Sequence, residues 1–432
     1  MSCAVERCGW WVARLSLIAV LSSWGGPLSA WGAELDGVAA QGVWHDWPQW
    51  RGPERNSLDS GVPWPDGLSA ERLQLKWRQP LGPSYSGPVV AGERLITTET
   101  RDEKEERVSV WNRSTGELLW EATWQGSLSV PFFARSNGSW IRSTPATDGQ
   151  RLYVAGIRDV LVCFDLATGQ EAWRVDFVEQ LKSTLPSFGF VSSPLIDGQW
   201  LYVQAGGGVA KLNKLDGTIV WRALEDGGGM NGSAFSSPVI ATIGGVRQLV
   251  VQTRSELAGV DLESGKVLWS QTIESFRGMN ILTPTVIGDQ IFTSSYGGKS
   301  WLYSIKNNPD GFTVSMDWEN KLQGYMSSPV VVGDHIYLHL RNQRFACVNW
   351  KTGEEAWITK PFGKYWSMVS QGDRMLALDE TGELRLIAAD PKEYRLLGEA
   401  RVSDDSTWAH LSVADGQVFV RALGELRVFE WK

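Results

Sequence analysis

The sequence predicts an all-β fold: an eight-bladed β-propeller of four-stranded antiparallel blades, closed by an N-terminal strand that completes the last blade. A recurring phrase, its spacing and the strand-like segments between its copies carry that reading. The phrase runs Asp/Asn-x-x-Thr-Gly-x-x-x-Trp in its fullest form. It reads "NRSTGELLW" ending at Trp120, "DLATGQEAW" at Trp173, "NKLDGTIVW" at Trp221, "DLESGKVLW" at Trp269 and "NWKTGEEAW" at Trp357. The Trp residues stand 53, 48, 48 and 49 residues apart through Trp318, then 39 to Trp357. That is the chain length four short strands and their turns consume in one blade. From Ser143 to Trp173 the segments "TPATD", "RLYVAG", "VLVCFDL" and "QEAWRVD" are short, rich in Val, Leu, Tyr and Trp, and bounded by Gly or Asp, as consecutive strands are.

Each part of the phrase has a physical reason. Asn112, Asp165, Asn213, Asp261 and Asn349 stand eight residues before their Trp, where a short polar side chain bonds the backbone of the next turn. Gly116, Gly169, Gly217, Gly265 and Gly353 stand four before it, where the turn into the outermost strand requires positive φ. The Trp is expected to wedge between adjacent blades, contributing up to ~5 kcal/mol for a fully buried ring.

An inner-strand signature counts eight units: Gly87-Pro88, Thr144-Pro145, Ser193-Pro194, Ser237-Pro238, Thr283-Pro284, Ser328-Pro329, then the degenerate Ser367-Met368 and Leu411-Ser412. The eighth unit has room for only three strands before Lys432. Its fourth is expected from "LQLKWRQPL" near the other end, with Trp77 in the outer-strand Trp position, which hides two strand edges.

Arg7 and Arg14 flank the apolar residues 15–24, followed by Gly-Gly-Pro and small residues. This reads as a secretory signal cleaved within residues 30–33, and the run is short for a membrane span. The expected organisation is a signal peptide at 1–33, a Trp- and Pro-rich strap at 34–70 and the propeller at 71–432. The chain is then exported, periplasmic or extracellular, monomeric and without a transmembrane segment after processing. Cys163 and Cys347 both lie ten residues before a repeat Trp, in equivalent positions of opposite blades, and read as small buried hydrophobes. A formal net charge of −8 without a basic patch argues against nucleic acid and anionic membrane as partners.

The phrase, the eight units and the export signal together resemble the PQQ-like β-propeller repeat, shared by quinoprotein alcohol dehydrogenases and by the outer-membrane assembly factor BamB. The resemblance covers roughly residues 71–432. The segment "DWPQWRGPERNS", residues 46–57, further resembles one found ahead of the propeller in many secreted PQQ-like proteins. The family implies the fold; one fold hosts many sites. The dehydrogenases resemble one another in a vicinal Cys pair, a Ca²⁺ site of Glu and Asn, a catalytic Asp and long insertions. Here no two Cys are adjacent and no Cys-x-x-Cys-His occurs, so a haem for onward electron transfer is not indicated.

Other chemistry is weakly signalled. His335 and His339 stand four apart in a strand-like segment, about 13 Å from one another, too far to share a metal. His410 near Asp404, Asp405 and Ser412 lacks a nucleophile elbow. The Gly-rich residues 226–232 open no helix and match no phosphate loop. No catalytic or metal-binding residue is therefore assigned.

The loops from each outer strand to the next inner strand gather at one channel mouth, a usual place for a ligand. Just before the inner strands stand Tyr85, Trp140, Phe190, Phe235, Tyr325, Trp366 and Trp408, with Arg142, Asn231, Arg277, Asn280 and His410 near them. Either these rings pack under the loops and plug the channel, or they form a candidate collar suited to a flat ligand, a sugar or a peptide, with residues 122–142 and 174–192 as one wall. In the strap, Arg51 and Glu54 are expected to form ion pairs. The reading is an exported, non-catalytic binding or assembly scaffold, BamB-like, for a protein or peptide partner gripped by strand addition or for a small ligand at the mouth, with no cofactor. The alternative is a periplasmic alcohol or sugar dehydrogenase using PQQ with Ca²⁺.

Overall fold

The computed structural model describes residues 45–432 except 231 and 233; the expected export signal and Asn231 of the expected collar lie outside these. Eight sheets of four antiparallel strands follow one another along the chain. Blade 1 begins at Val89–Ala91, blade 2 at Ala146–Thr147, blade 3 at Leu195–Asp197 and blade 4 at Val239–Ile243. Blades 5 to 8 begin at Thr285–Ile287, Val330–Val332, Trp366–Gln371 and Ser412–Ala414. Blade 8 takes its outermost strand from Leu73–Pro80, paired with Glu425–Trp431, as the sequence predicts.

Burial follows from blades stacking face to face. A middle strand is covered on both faces, so Glu105–Asn112 is buried almost throughout, whereas the outer strand Leu118–Gln125 alternates in the way a half-solvated strand does. In every blade the register slips by one residue near the outer Trp position, for example between Val110 and Trp111 or Cys163 and Phe164. Such a bulge adds local twist.

The repeat phrase is one inter-blade device. The Trp120 indole donates to the Leu166 carbonyl of the next blade, Trp173 to Lys214, Trp221 to Leu262 and Trp318 to Trp350. The ring lies over the next blade's turn glycine, so a Cβ on Gly169 would sit 2.6 Å from Trp120. That glycine has φ +74, so both its backbone angle and its missing side chain are used. The Asp165 carboxylate receives the backbone N–H groups of Ala167 and Thr168 in the same turn. Trp77 closes the circle, donating to the Arg113 carbonyl and covering Gly116.

Two readings of the repeat need correction. Trp269 donates within its own blade to Gln248 Oε1 at 2.6 Å and is buried. Blade 5 has no Thr-Gly turn to receive it, joining its last strands Ser300–Asn308 and Gly311–Asn320 directly by a hairpin. Most of the other repeat Trp are half-buried, so each contributes less than a full ring's burial.

The Ser/Thr-Pro signature is a girdle around the channel. The Gly87 N–H donates to Thr144 Oγ1, the Thr144 N–H to Ser193 Oγ and the Ser193 N–H to Ser237 Oγ. Ser412 Oγ closes the ring on the Pro88 carbonyl. The hydroxyls satisfy inner-strand ends that the sheets leave unpaired. Cys163 and Cys347 are free and buried, opposite Trp173 and Trp357 in their blades.

Buried carboxyls also link blades. Glu106 accepts from the Ile157 N–H of blade 2 and from the Trp124 indole, both at 2.8 Å. Burial raises it from 4.5 to about 7. Between these two pH values the folded chain holds a proton that the unfolded chain releases, so this group's contribution falls as pH rises through the window, by on the order of 3 kcal/mol. We therefore expect unfolding midpoints of Glu106→Gln, relative to the parent, to rise from pH 4.5 to 7.5; a constant difference contradicts this.

Candidate functional site

The strap residues 47–59 lie against the inner strands. Trp47 bridges Val90 of blade 1, and Leu58 bridges Ser370 of blade 7. Between them Arg55 donates to the Ser193 and Pro194 carbonyls of blade 3, and Arg51 to the Pro329 carbonyl before blade 6. Both guanidiniums are buried, and burial lowers each to about 9. Backbone carbonyls hold Arg51 rather than an ion pair, and Glu54 stays exposed. Trp50 donates to Thr283 Oγ1 and packs edge-on against His410, 5.0 Å between centroids.

Trp50 and His410 help line a cavity of about 490 Å³, a size ordinary for ligand sites. Two sets of loops build its walls. Those entering the inner strands bring Tyr85, Arg142, Phe235, Tyr325, Tyr365 and Trp408; those joining the second and third strands of blades 5 and 6 bring Tyr296, Arg341 and Gln343. In an antiparallel blade both sets emerge on the same face.

The rings touch. Tyr85 meets Trp140 at 5.3 Å and Trp408 at 6.3 Å, Trp408 stacks on Tyr365 at 5.7 Å, and Tyr296 meets Tyr325 at 5.0 Å. Arg142 lies 5.1 Å from the Tyr85 ring centre and Arg341 4.2 Å from that of Tyr296, cation–π geometry in both cases. Arg142, Arg341 and Lys364 are cationic, and no Asp or Glu is among the described lining residues. Burial, with Arg51 close by, drives His410 down to about 3, so it is neutral at pH 7.

Of the residues the sequence singled out, Tyr85, Arg142, Phe235, Tyr325, Trp408 and His410 line the cavity. Trp140 stands behind Tyr85. Trp366 does not belong to the collar: it is the first residue of an inner strand, fully buried and stacked on His339 at 4.9 Å. Phe190 is buried against Phe177. Asn280 is buried and donates to the Arg254 carbonyl. Arg277 lies outside the cavity, over the rings of Phe276 and Phe133. Trp50, Tyr296, Arg341 and Lys364 were missed. The first sits in a segment without register, the next two in loops that carry no repeated phrase.

The His410 ring faces the Leu411 carbonyl and Ser57 Oγ, while Ser412 Oγ donates to Pro88, so no triad forms. Among the described residues no three His, Cys, Asp or Glu converge to hold a metal. The cavity therefore lacks the carboxylate donors that a Ca²⁺-bound quinone requires. No described helix is long and apolar enough to cross a membrane.

A family profile described as outer membrane protein assembly factor BamB matches residues 104–359. Over 307 residues the chain is 23% identical to the outer membrane protein assembly factor BamB of Moranella endobia, covering 68% of this chain and 73% of that one. The BamB structure from Moraxella catarrhalis aligns with TM-score 0.60 at 16% identity, covering 83% of this chain and 98% of that one. The quinohemoprotein alcohol dehydrogenase from Comamonas testosteroni aligns with TM-score 0.59 at 13% identity, covering 89% and 80%. At such identities the structural likenesses show the fold alone.

Proposed function

The chain belongs to the family described as outer membrane protein assembly factor BamB, and on that premise we propose that it is an exported, non-catalytic propeller scaffold whose aromatic mouth holds polypeptide during protein assembly. One observation carries the reading: two loop sets bring a collar of rings and three cations to one cavity whose described lining has no carboxylate. Rigid aromatic rings give large contact area at small entropic cost, and the neutral His410 and hydroxyls of Ser193 and Ser237 offer adaptable hydrogen bonds. Redox chemistry with a quinone and Ca²⁺ is disfavoured by the donor set. Trp50 and the strap arginines hold the floor in place, so the cavity is preorganised.

The test is site-specific photo-crosslinking to an unfolded, reduced and alkylated polypeptide. A photoreactive residue at Gln343, in the mouth, is expected to crosslink, and one at Arg174, on an outer strand, is not. Equal crosslinking at both positions, or none at Gln343, contradicts the proposal.

A further inference from the structure

The aromatic surface extends beyond the cavity. Phe132 is 81% exposed and Phe133 49%, unusual for rings on a soluble surface unless something covers them. From Phe132 contacts run to Phe133 at 5.6 Å, on to Phe188 at 6.4 Å, and to Phe235 in the cavity wall at 5.4 Å. A second line runs from the exposed Phe276 to Tyr296 at 5.2 Å, also in the wall. Arg277 lies over both Phe133 and Phe276 and so joins the lines at the rim. The result is a continuous apolar track from rim to cavity.

Cations follow the same track. Arg254 lies 4.6 Å from the Phe235 ring centre, and Arg341 lies over Tyr296. Elsewhere on the chain some arginines pair with carboxylates, as Arg247 does with Asp197 and Arg385 with Asp379, and others, such as Arg51 and Arg55, are held by backbone carbonyls. Among the described residues no Asp or Glu lines the cavity beside Arg142, Arg341 and Lys364; nearer the rim the charge of Asp226 acts on Arg254, and Glu274 lines the same depression as Arg254 and Arg277. Arg142 and Arg254 each donate through Nη2 to one backbone carbonyl; their Nε atoms are buried without a partner, as those of several other arginines are, and Arg254 leaves Nη1 unpaired as well, which is costly unless something meets it. This occurs in a chain whose net charge is −8, so the local sign opposes the whole.

We propose that the mouth selects an extended polypeptide segment in which Asp or Glu alternates with aromatic side chains, the rings lying along the Phe132-to-Phe235 track and the carboxylates meeting Arg254, Arg277 and Arg341. The inference rests on the polypeptide-holding reading of this mouth and adds its selectivity. A small anion would occupy only part of the 490 Å³ cavity and leave Phe132 and Phe133 uncovered. Single-stranded nucleic acid offers rings and charge too, but its unbroken phosphate charge is repelled by the acidic remainder of the molecule.

The test compares labelled twelve-residue probes by fluorescence anisotropy: an acidic aromatic peptide, a basic aromatic peptide, an acidic peptide without aromatics, and a thymidine oligonucleotide. The acidic aromatic peptide is expected to bind about tenfold or more tightly than each other probe, and more weakly as salt screens the charges. Phe132→Ser/Phe133→Ser and Arg341→Gln/Lys364→Gln, at exposed positions and with the parent's circular dichroism, are each expected to weaken it about tenfold. Equal or tighter binding of the basic peptide or the oligonucleotide, or parental affinity in both variants, overturns the selectivity. If Gln343 still crosslinks unfolded polypeptide in that case, the broader reading stands and only the selectivity falls; if it does not, both fall.

Discussion

Deleting residues 71–81 abolishes the soluble fold. The deletion removes Leu73–Pro80, which supplies the outer strand of blade 8, and with it the Trp77 indole that donates to Arg113 and covers Gly116 of blade 1. Leu73 lies in a core shared with Leu426, Val428 and Phe429, so the loss is of packing as well as pairing. The strand Glu425–Trp431 is then an open edge, which invites association with other chains. The expected outcome is aggregation on expression, with no cooperative thermal transition. Trp77→Ala keeps the strand and isolates the staple; it is expected to remain soluble and to lose about 3 kcal/mol. A deletion variant that unfolds at the parent's midpoint contradicts ring closure.

Gly169→Ala is expected to cost about 3 kcal/mol or more, and Gly149→Ala only about 1. Both glycines have positive φ, +74 and +83, and a Cβ there costs roughly 1–2 kcal/mol. They differ in space. A Cβ at Gly149 meets nothing within 4 Å, whereas one at Gly169 lies 2.6 Å from the Trp120 ring, so the indole must shift and its bond to the Leu166 carbonyl is strained or lost. Chemical denaturation of the two variants against the parent measures the difference. Equal losses would mean that the turn needs glycine for its backbone angle only.

That comparison also explains why the architecture was readable from sequence. Gly and Trp recur at fixed spacing because each glycine is the seat for the preceding blade's ring, so one physical contact writes itself into the chain several times. Where the contact is absent the phrase misleads: Trp269 has the right spacing but no seat in blade 5, and it turns to Gln248 instead. The closing strand was legible because the eighth unit holds only three strands and because Trp77, a staple residue displaced to the other end of the chain, stands in the outer-strand position.

The mouth was legible only in part. Residues entering inner strands could be aligned by the Ser/Thr-Pro signature, and six of them line the cavity. The same alignment failed at Trp366, where the strand begins at the Trp itself and carries it into the blade core. Tyr296 and Arg341 sit in hairpin loops that no repeated phrase marks, and Trp50 reaches the cavity from a strap whose course is set by hydrogen bonds to blades 1, 3, 6 and 7. Such contacts depend on the closed ring and leave no local pattern.

Fluorescence titration of the protein with PQQ, with and without Ca²⁺, distinguishes a holding surface at this mouth from a quinone site. Trp50 and Trp408 line the cavity, so an occupant there quenches their emission. No Ca²⁺-dependent saturation is expected, and no reduction of an acceptor dye when alcohols or sugars are added, while unfolded polypeptide displaces whatever quinone adheres to the cationic rings. Saturable, Ca²⁺-dependent quenching at micromolar quinone, accompanied by substrate-dependent dye reduction, contradicts the holding role.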